Sequence, residues 1–496
     1  MNRLITYGMH SGARRRGGTL AVAFVALCLA LCAAGPPSSA WAAPAKAGGV
    51  SGDWPMFMHD VGRSGFNGGV TLATPLSLVW THTATNAGMT LNPVVGNSLV
   101  YAGSADGFLR AVDQTGKLVW TSPYLGQTYN CSPTSHWGVS STPALASVTL
   151  NGVATSVLYV GAGNTLTAPM AEVYALNATS GAPIWHTTLS AAKGVYMWAS
   201  PVVFTPSGAA HPSVYIGLSS VEDCPLVRGG LYQLDAVTGV IQHVFYTEPL
   251  GCVGASVWGS PTIDAAAGTL YFATGNGASA TKCTQPQPYA VALVELNLSN
   301  LAYIGSWQVP ATQQIVDSDF GTTPTLFSAT IGGTVTPLVG LVNKSGEYYA
   351  FKRGQLVPGP VWMAKIANGG GAITGSLSSS AWDGTQLYVA GGLTTISGKS
   401  CKGSMRALNP ATGTFVWQAC FTGAAVTGAI AAAAGIVVAC EGRTVNVVNS
   451  TTGTVIATYH DNAAGLLGAA SITFDPLLNT GVLYFSDNAG NMYELK

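Results

Sequence analysis

Residues 99–120 read LVYAGSADGFLRAVDQTGKLVW, and this stretch decides the fold. Three short apolar runs are separated by segments rich in Gly, Asp and other turn-forming residues, which is the pattern of successive β-strands. Asp113 and Gly116 place turn formers directly before the last run, which ends at Trp120. We interpret the stretch as the last three strands of one antiparallel β-sheet, with the tryptophan packing the fourth strand against its neighbour.

The same pattern recurs along the chain, and repetition on this scale is typical of repeat architectures. Residues 158–185 read LYVGAGNTLTAPMAEVYALNATSGAPIW. Residues 387–417 read LYVAGGLTTISGKSCKGSMRALNPATGTFVW. We count eight such units, near 92–120, 140–186, 198–245, 258–308, 322–363, 378–420, 428–460 and 468–496.

The two ends of the repeat region complement each other. The last unit stops at Lys496 without a fourth strand, whereas an additional strand ending in Trp80 lies at 76–80, ahead of the first unit. Pairing the two would close a ring and leave no open sheet edge at its ends. The sequence therefore predicts an all-β fold over 76–496, an eight-bladed β-propeller of four-stranded antiparallel blades closed by the N-terminal strand. An open stack of sheets is the alternative.

The N-terminus carries a secretion pattern. A basic patch at Arg14–Arg16 precedes an apolar run over 20–34, and a small-residue site follows at Ala40-Trp41-Ala42. These features predict a signal peptide over 1–42, cleaved after Ala42, and a lead-in segment over 43–75. A membrane anchor is the alternative, although the apolar run is short for a span. We expect the mature protein to be extracytoplasmic, with no integral membrane segment.

Composition restricts the partners and indicates disulfides. Charged residues make up 8% of the chain and the formal net charge is zero, which argues against nucleic acid or an anionic membrane surface as a partner. Seven cysteines follow the predicted signal peptide, and the cysteines of exported proteins usually form disulfides. Cys440 lies within an apolar run, so we expect it to be the buried free thiol.

The repeat resembles the pyrroloquinoline-quinone (PQQ) repeat. Its signature here is Tyr-Val-Gly, then Gly-x-x-x-Ala-x-Asp, then Gly and Trp, and the opening segment 53–67 is similar to the lead-in of quinoprotein alcohol dehydrogenases. The resemblance covers nearly all of the predicted mature chain. It implies the propeller fold directly, but the same repeat builds both enzymes and assembly scaffolds, so function has to be argued from a site.

Five segments resemble the cofactor and metal site of that family, in matching order. The resemblance implies metal ligation by Glu222 and Asn276, a quinone floor at Trp258 and quinone contact by Lys344. It implies that Asp317 is the catalytic base and a metal ligand, and that Asp319 is the additional acid of lanthanide-using members. The implied cofactors are PQQ with Ca²⁺ or a lanthanide ion. The chain lacks the adjacent-cysteine pair of many members, and Gln313-Gln314 replaces the expected His-Asp.

Propeller geometry independently groups these residues. Loops between second and third strands share a rim with the loops that join consecutive blades, and all the candidates fall in such loops or beside them. Six cysteines map to the same rim. We predict the disulfides Cys224–Cys252 and Cys401–Cys420, which leaves Cys131 with Cys283 by elimination.

Two functions remain open at this stage. The first is a quinoprotein-type dehydrogenase that oxidises an alcohol, sugar or polymer hydroxyl with PQQ and a metal ion. Because the chain has no Cys-x-x-Cys-His haem motif, this enzyme would need a separate electron acceptor. The alternative is a cofactor-free propeller that serves as an extracytoplasmic scaffold for binding proteins or glycans.

Overall fold

The computed structural model describes residues 52–84, 88–89, 92–129, 136–163, 170–371, 375–466 and 468–496. The predicted signal peptide lies outside these residues. The described chain forms eight blades of four antiparallel strands, as predicted. The predicted closure by the N-terminal strand is seen in the last blade, where Leu78–Thr83 pairs with Asn491–Leu495. The closing strand starts two residues later than predicted and extends past Trp80.

The blades follow one another in chain order around the ring. Blade 1 contains Val94–Gly96, Leu99–Gly103, Leu109–Asp113 and Leu118–Thr121. Blade 2 contains Ala144–Leu150, Val153–Ala162, Ala171–Asn177 and Pro183–Ser190. Blade 3 contains Val202–Phe204, Ser213–Ser220, Gly230–Asp235 and Ile241–Tyr246, with Val195–Tyr196 paired to its second strand. Blade 4 contains Thr262–Asp264, Thr269–Ala273, Ala292–Asn297 and Tyr303–Gln308.

The second half of the ring repeats the arrangement. Blade 5 contains Thr325–Ile331, Thr334–Val342, Glu347–Lys352 and Trp362–Lys365. Blade 6 contains Ala381–Trp382, Leu387–Gly391, Gly403–Leu408 and Phe415–Phe421. Blade 7 contains Ala431–Ala433, Ile436–Glu441, Thr444–Asn449 and Val455–His460. Blade 8 contains Ser471–Asp475, Thr480–Ser486, Asn491–Leu495 and the closing strand Leu78–Thr83.

A few short elements lie outside the four-stranded pattern. Phe66–Asn67 pairs in parallel with the innermost strand of blade 7. Two small hairpins are formed by Thr128–Tyr129 with His136–Trp137 and by Thr394–Ile396 with Lys399–Cys401. A single turn of 3₁₀-helix covers Ala311–Gln313. No helix in the described part of the chain is long and apolar enough to cross a membrane.

Neighbouring blades are joined by the recurring tryptophan. The Trp80 indole packs on Gly116 of the next blade, where an added Cβ would lie 2.8 Å from the ring, and its Nε1 donates to Gln114 O at 3.1 Å. Gly116 has φ +81°, a conformation that glycine adopts without steric cost. Equivalent pairs are Trp120–Gly181, Trp185–Gly239, Trp362–Gly413 and Trp417–Gly453. The tryptophan and the turn glycine of the repeat thus form one contact between adjacent blades.

Hydroxyl groups link the innermost strands around part of the ring. Ser200 Oγ accepts from Thr142 N at 3.0 Å, and Ser260 Oγ accepts from Ser200 N at 2.9 Å. The series continues from Ser260 N to Thr323 Oγ1 at 3.0 Å and from Thr323 N to Ser379 Oγ at 2.9 Å. These bonds fix the start of each inner strand relative to the next, and so fix the loops that precede them.

The lead-in segment packs across the inner strands. Pro55 O and Val61 O accept hydrogen bonds from Leu145 N and Ile263 N, at 2.7 and 2.8 Å, in blades 2 and 4. The buried Arg63 donates to Pro261 O at 3.0 Å and to Pro201 O at 3.2 Å. Phe57 lines the central cavity. The segment therefore covers the axis of the ring on one side.

One predicted disulfide is confirmed and two predicted pairings are wrong. Cys401–Cys420 is present, and Cys440 is the buried free thiol, as predicted. Cys252 pairs with Cys283, which overturns both Cys224–Cys252 and Cys131–Cys283. The reason is local: an antiparallel bridge between Gly254 and Gly277 brings the loops that carry Cys252 and Cys283 side by side. Cys224 is also disulfide-bonded, and Cys131 lies outside the described residues.

The closing blade contains a buried acidic pair that should make stability depend on pH. Burial, aided by the Asp475 carboxyl, raises the pKa of Glu494 to about 8. The folded chain therefore holds a proton that the unfolded chain releases near pH 4.5. This contribution to stability is complete below pH 4.5 and is lost as the pH rises through 8. We expect the melting temperature to fall by about 5 °C between pH 5 and pH 9 because of this group.

Differential scanning calorimetry checks this prediction. Glu494→Gln keeps a neutral side chain at every pH, so its melting temperature should fall less over the same range. Equal slopes for the wild type and Glu494→Gln would contradict the assignment.

Candidate functional site

The candidate residues lie on one rim of the ring, as predicted from the topology. Glu222 is in the loop between the second and third strands of blade 3. Asn276 and Lys344 follow the second strands of blades 4 and 5. Trp258 precedes blade 4, and the loop with Asp317 and Asp319 joins blades 4 and 5. The rigid sheets therefore position side chains from three consecutive blades near one another.

Asp317 is held from one side. Its Oδ1 accepts from Asn276 Nδ2 at 3.0 Å and from Lys344 Nζ at 2.8 Å. No described residue hydrogen-bonds to its Oδ2, and about a third of the side chain (35%) is exposed. The backbone at Asp317 is left-handed, with φ +57°, a conformation that is uncommon outside glycine and is enriched at functional sites. One oxygen is thus fixed while the other is accessible.

Lys344 joins the two aspartates. The ammonium lies 2.8 Å from Asp317 Oδ1 and 2.6 Å from Asp319 Oδ1, and its side chain is 7% exposed. Burial alone would lower the pKa of Lys344, but the carboxylates of Asp319 and Asp317 outweigh burial and raise that pKa. Burial raises the pKa of Asp319 to about 6, despite the opposing attraction of Lys344. A compact cluster of one cation and two acids results.

Trp258 forms the wall of this cluster. Its Nε1 donates to Asp319 Oδ2 at 3.1 Å, and the Lys344 ammonium lies 4.9 Å from the centre of the indole ring. Gly275 keeps the space beside it open, since an added Cβ would lie 3.1 Å from Asp319 Oδ2. The flat ring, the ammonium and the carboxylates therefore lie within hydrogen-bonding or van der Waals reach of one another.

Glu222 has a different neighbour. Trp137 Nε1 donates to its Oε1 at 3.1 Å, and Trp137 packs edge-on against Trp198 with ring centres 5.1 Å apart. The structure thus brings together five of the predicted residues, namely Trp258, Asn276, Asp317, Asp319 and Lys344, and places Glu222 against an aromatic pair on the same rim. Among the described residues, no three His, Cys, Asp or Glu side chains are arranged to hold a metal ion.

Two further residues belong to this region and were not predicted. Trp198 lines the central cavity, of about 170 Å³, together with Trp258. Its sequence context, Trp198-Ala199-Ser200-Pro201, matches Trp258-Gly259-Ser260-Pro261 one blade later, so aligning the repeats would have found it. Asp223 follows Glu222 directly. Burial raises the pKa of Asp223, and the charges of Lys344 and Asp317 also act on it.

The residues present fit a planar anionic cofactor and an oxygen-ligated cation by their chemistry. Trp258 offers a flat aromatic face, and Lys344 offers a cation beside it. Asn276 Oδ1 has no hydrogen-bond partner within the described residues, so this oxygen remains available to a hard cation, and Asp317 Oδ2 likewise has no partner and is free to accept a proton. The described arginines do not contact this cluster, and carboxylates of a cofactor would need hydroxyl or backbone donors.

Comparisons with known proteins agree with the fold. The family model of the outer membrane protein assembly factor BamB matches residues 105–285. The family model described as the β-propeller domain of glucose, ethanol and alcohol dehydrogenases matches residues 246–359. Both models describe PQQ-repeat propellers, and together they span 105–359. The chain belongs to the PQQ-repeat, quinoprotein alcohol dehydrogenase-like β-propeller family.

The individual relatives share less than 30% sequence identity with this chain. A polyvinylalcohol dehydrogenase of a Pseudomonas species is 28% identical over 279 residues, which cover 49% of this chain and 42% of that protein. The chain therefore matches less than half the length of this curated relative. A quinohemoprotein alcohol dehydrogenase of Pseudomonas putida HK5 has a similar structure, with TM-score 0.70, 15% identity and coverage of 90% of this chain and 80% of that one. A europium-containing methanol dehydrogenase has TM-score 0.68, 15% identity and coverage of 90% and 98%.

Proposed function

We propose that the chain is an exported quinoprotein-type dehydrogenase that oxidises the hydroxyl group of an alcohol, a sugar or a polymer. The observation that carries this proposal is the geometry of Asp317, whose Oδ1 is held by Asn276 and Lys344 while Oδ2 is accessible. A carboxylate fixed in this way, beside an aromatic face and a buried ammonium, is arranged to accept a proton from a bound hydroxyl. The matches to alcohol dehydrogenase propellers support the same activity.

Each residue has a role in this mechanism. Asp317 accepts the hydroxyl proton at Oδ2, and Asn276 keeps the carboxylate oriented. Lys344 would offer its ammonium to the oxygens of a bound cofactor, and Trp258 would offer the face for a planar ring. Glu222, Asn276, Asp317 and Asp319 are the residues that would hold Ca²⁺ or a lanthanide ion. When bound, PQQ and the metal would supply the hydride acceptor and its polarisation, and a separate acceptor would be needed for the electrons.

A cofactor-free scaffold is the second candidate function. The match to the assembly-factor model over 105–285 favours it, as does Lys344, whose ammonium already pairs with both aspartates beside Trp258. In this case the rim would bind a protein or a glycan outside the cytoplasm.

Titration of the purified mature chain with PQQ separates the two functions. With Ca²⁺ or La³⁺ present, we expect saturable quenching of tryptophan fluorescence, because Trp258 would stack on the cofactor. Glu222→Ala and Asp317→Ala should weaken binding at least tenfold, whereas Asp113→Asn, in a turn on the opposite rim, should not. The absence of binding with either metal would refute the dehydrogenase and leave the scaffold.

A further inference from the structure

A second pocket adjoins the cluster around Asp317. Its volume is about 300 Å³, and its polar wall is formed by four carboxamide side chains, Asn276, Gln287, Gln308 and Gln314. Alanine and valine side chains, including Val291, form the rest of the lining together with Gly277. None of the lining residues is charged. The pocket therefore offers polar recognition to a neutral molecule and has no ion pair to give to a charged one.

The hydrogen bonds of the carboxamides decide which polar group the pocket presents. Gln308 Nε2 donates to Gln287 O at 2.9 Å and to Ala290 O at 2.8 Å, which uses both of its hydrogens. Gln314 Nε2 donates to Val309 O at 2.7 Å. The Oε1 atoms of Gln308 and Gln314 have no hydrogen-bond partner among the described residues. Both amides are thus anchored through nitrogen and leave an acceptor oxygen unused.

Asn276 connects the pocket to the proposed reaction centre. Its Nδ2 donates to Asp317 Oδ1 at 3.0 Å, while its Oδ1 has no partner in the described structure. Gln287 contributes no such oxygen, because Oε1 accepts from Ala278 N at 2.7 Å and Nε2 donates to Ala278 O at 2.9 Å. Asn276 Oδ1 is the atom offered to the cation, so two acceptor oxygens, from Gln308 and Gln314, remain in a pocket that begins one hydrogen bond away from Asp317.

We propose that this carboxamide pocket binds a second hydroxyl group of the substrate, so that polyhydroxylated chains are preferred over monohydric alcohols. The hydroxyl group donates to the Oε1 atoms of Gln308 and Gln314, and the alkyl backbone of the substrate packs on the alanine and valine side chains. An amide acceptor recognises a hydroxyl that an alkyl analogue lacks, because the bound analogue would displace water from the acceptor without replacing its hydrogen bond. The inference rests on the proposed function in one respect, namely that another hydroxyl of the same molecule reacts at Asp317.

The test compares pentane-2,4-diol with pentan-2-ol, two probes that differ by one hydroxyl. Binding to the full mature chain is measured by saturation-transfer NMR titration, first without added cofactor and then with PQQ and Ca²⁺. We expect the diol to bind about fivefold more tightly than the mono-ol. Gln308→Leu and Gln314→Leu should each abolish most of this preference, whereas Gln355→Leu, an exposed glutamine on a turn of the opposite rim, should retain it.

The possible results are distinguishable. Both target glutamines are exposed, so the variants should fold, and a melting curve of each confirms this before binding is compared. Equal binding of the two probes to the wild type, or a preference that persists in both variants, would overturn the pocket assignment. A diol preference that depends on the glutamines, in a chain that does not bind PQQ, would support the pocket and refute the dehydrogenase.

Discussion

Replacing Asp317 by asparagine is expected to slow alcohol oxidation by the PQQ- and metal-loaded chain by about 10²–10⁴-fold, the usual contribution of a positioned general base. The amide can still accept from Asn276 and Lys344 through its oxygen, so the loop should keep its conformation. The variant loses the accessible carboxylate oxygen, Oδ2, that accepts the hydroxyl proton. Dye-linked turnover at saturating alcohol, with the reduced cofactor followed by its absorbance, measures the effect.

The control for this prediction is Asp113→Asn, which makes the same chemical change in a turn on the opposite rim. It should turn over at the wild-type rate. If Asp317→Asn kept more than a tenth of the wild-type rate with full cofactor loading, another group would have to be the base.

Replacing Lys344 by methionine is expected to destabilise the fold by about 3 kcal/mol at pH 8, because it leaves Asp317 and the buried Asp319 without their cation. The loss should be smaller at pH 5. Burial already raises the pKa of Asp319 to about 6 with Lys344 in place, and the pKa rises further without it, so Asp319 is protonated at pH 5 and carries no unpaired charge. Chemical denaturation at the two pH values measures this difference.

Two further variants test whether the unpaired charge causes this loss of stability. Lys344→Met combined with Asp319→Asn removes both the cation and the buried charge, and should recover most of the stability lost at pH 8. Lys365→Met removes a lysine that is 53% exposed and pairs with Glu347, and should cost little, as surface ion pairs do. Equal losses at pH 5 and pH 8 in Lys344→Met would show that packing, and not charge, is the cause.

The repeat made the fold predictable from the sequence. Equivalents of Gly116 and Trp120 recur along the chain and mark a turn followed by an outer strand. They recur because the indole of one blade packs on the turn glycine of the next blade. Most blades therefore carry their own boundary signal, although the fourth strands of blades 3 and 7 have no tryptophan. The closing strand was predictable because the strand that contains Trp80 precedes the first unit, while the last unit lacks a fourth strand. The two therefore had to pair for both to be complete.

The site was less predictable because it depends on side-chain directions. Topology alone places Glu222 and Asp317 on one rim, but it does not say that Trp137 binds the first and Lys344 the second. The disulfides failed in the same way, since several loops share the rim: Gly254 forms bridges with both Arg228 and Gly277, and side-chain direction decides that Cys252 pairs with Cys283. The carboxamide pocket gave no sequence signal, because glutamines from separate loops meet only after the ring forms.

Closure of the ring by Leu78–Thr83 also constrains how the molecule can reach its native state. The strand that completes blade 8 pairs with residues more than four hundred positions later in the chain, so its ladder cannot form until the other blades have brought the two ends together. Contacts of such large sequence separation slow folding, because the entropy of closing the loop is lost before the pairing stabilises it. Seven blades can therefore assemble sequentially, but the eighth is a late step. Until that step an unpaired sheet edge remains exposed to other chains.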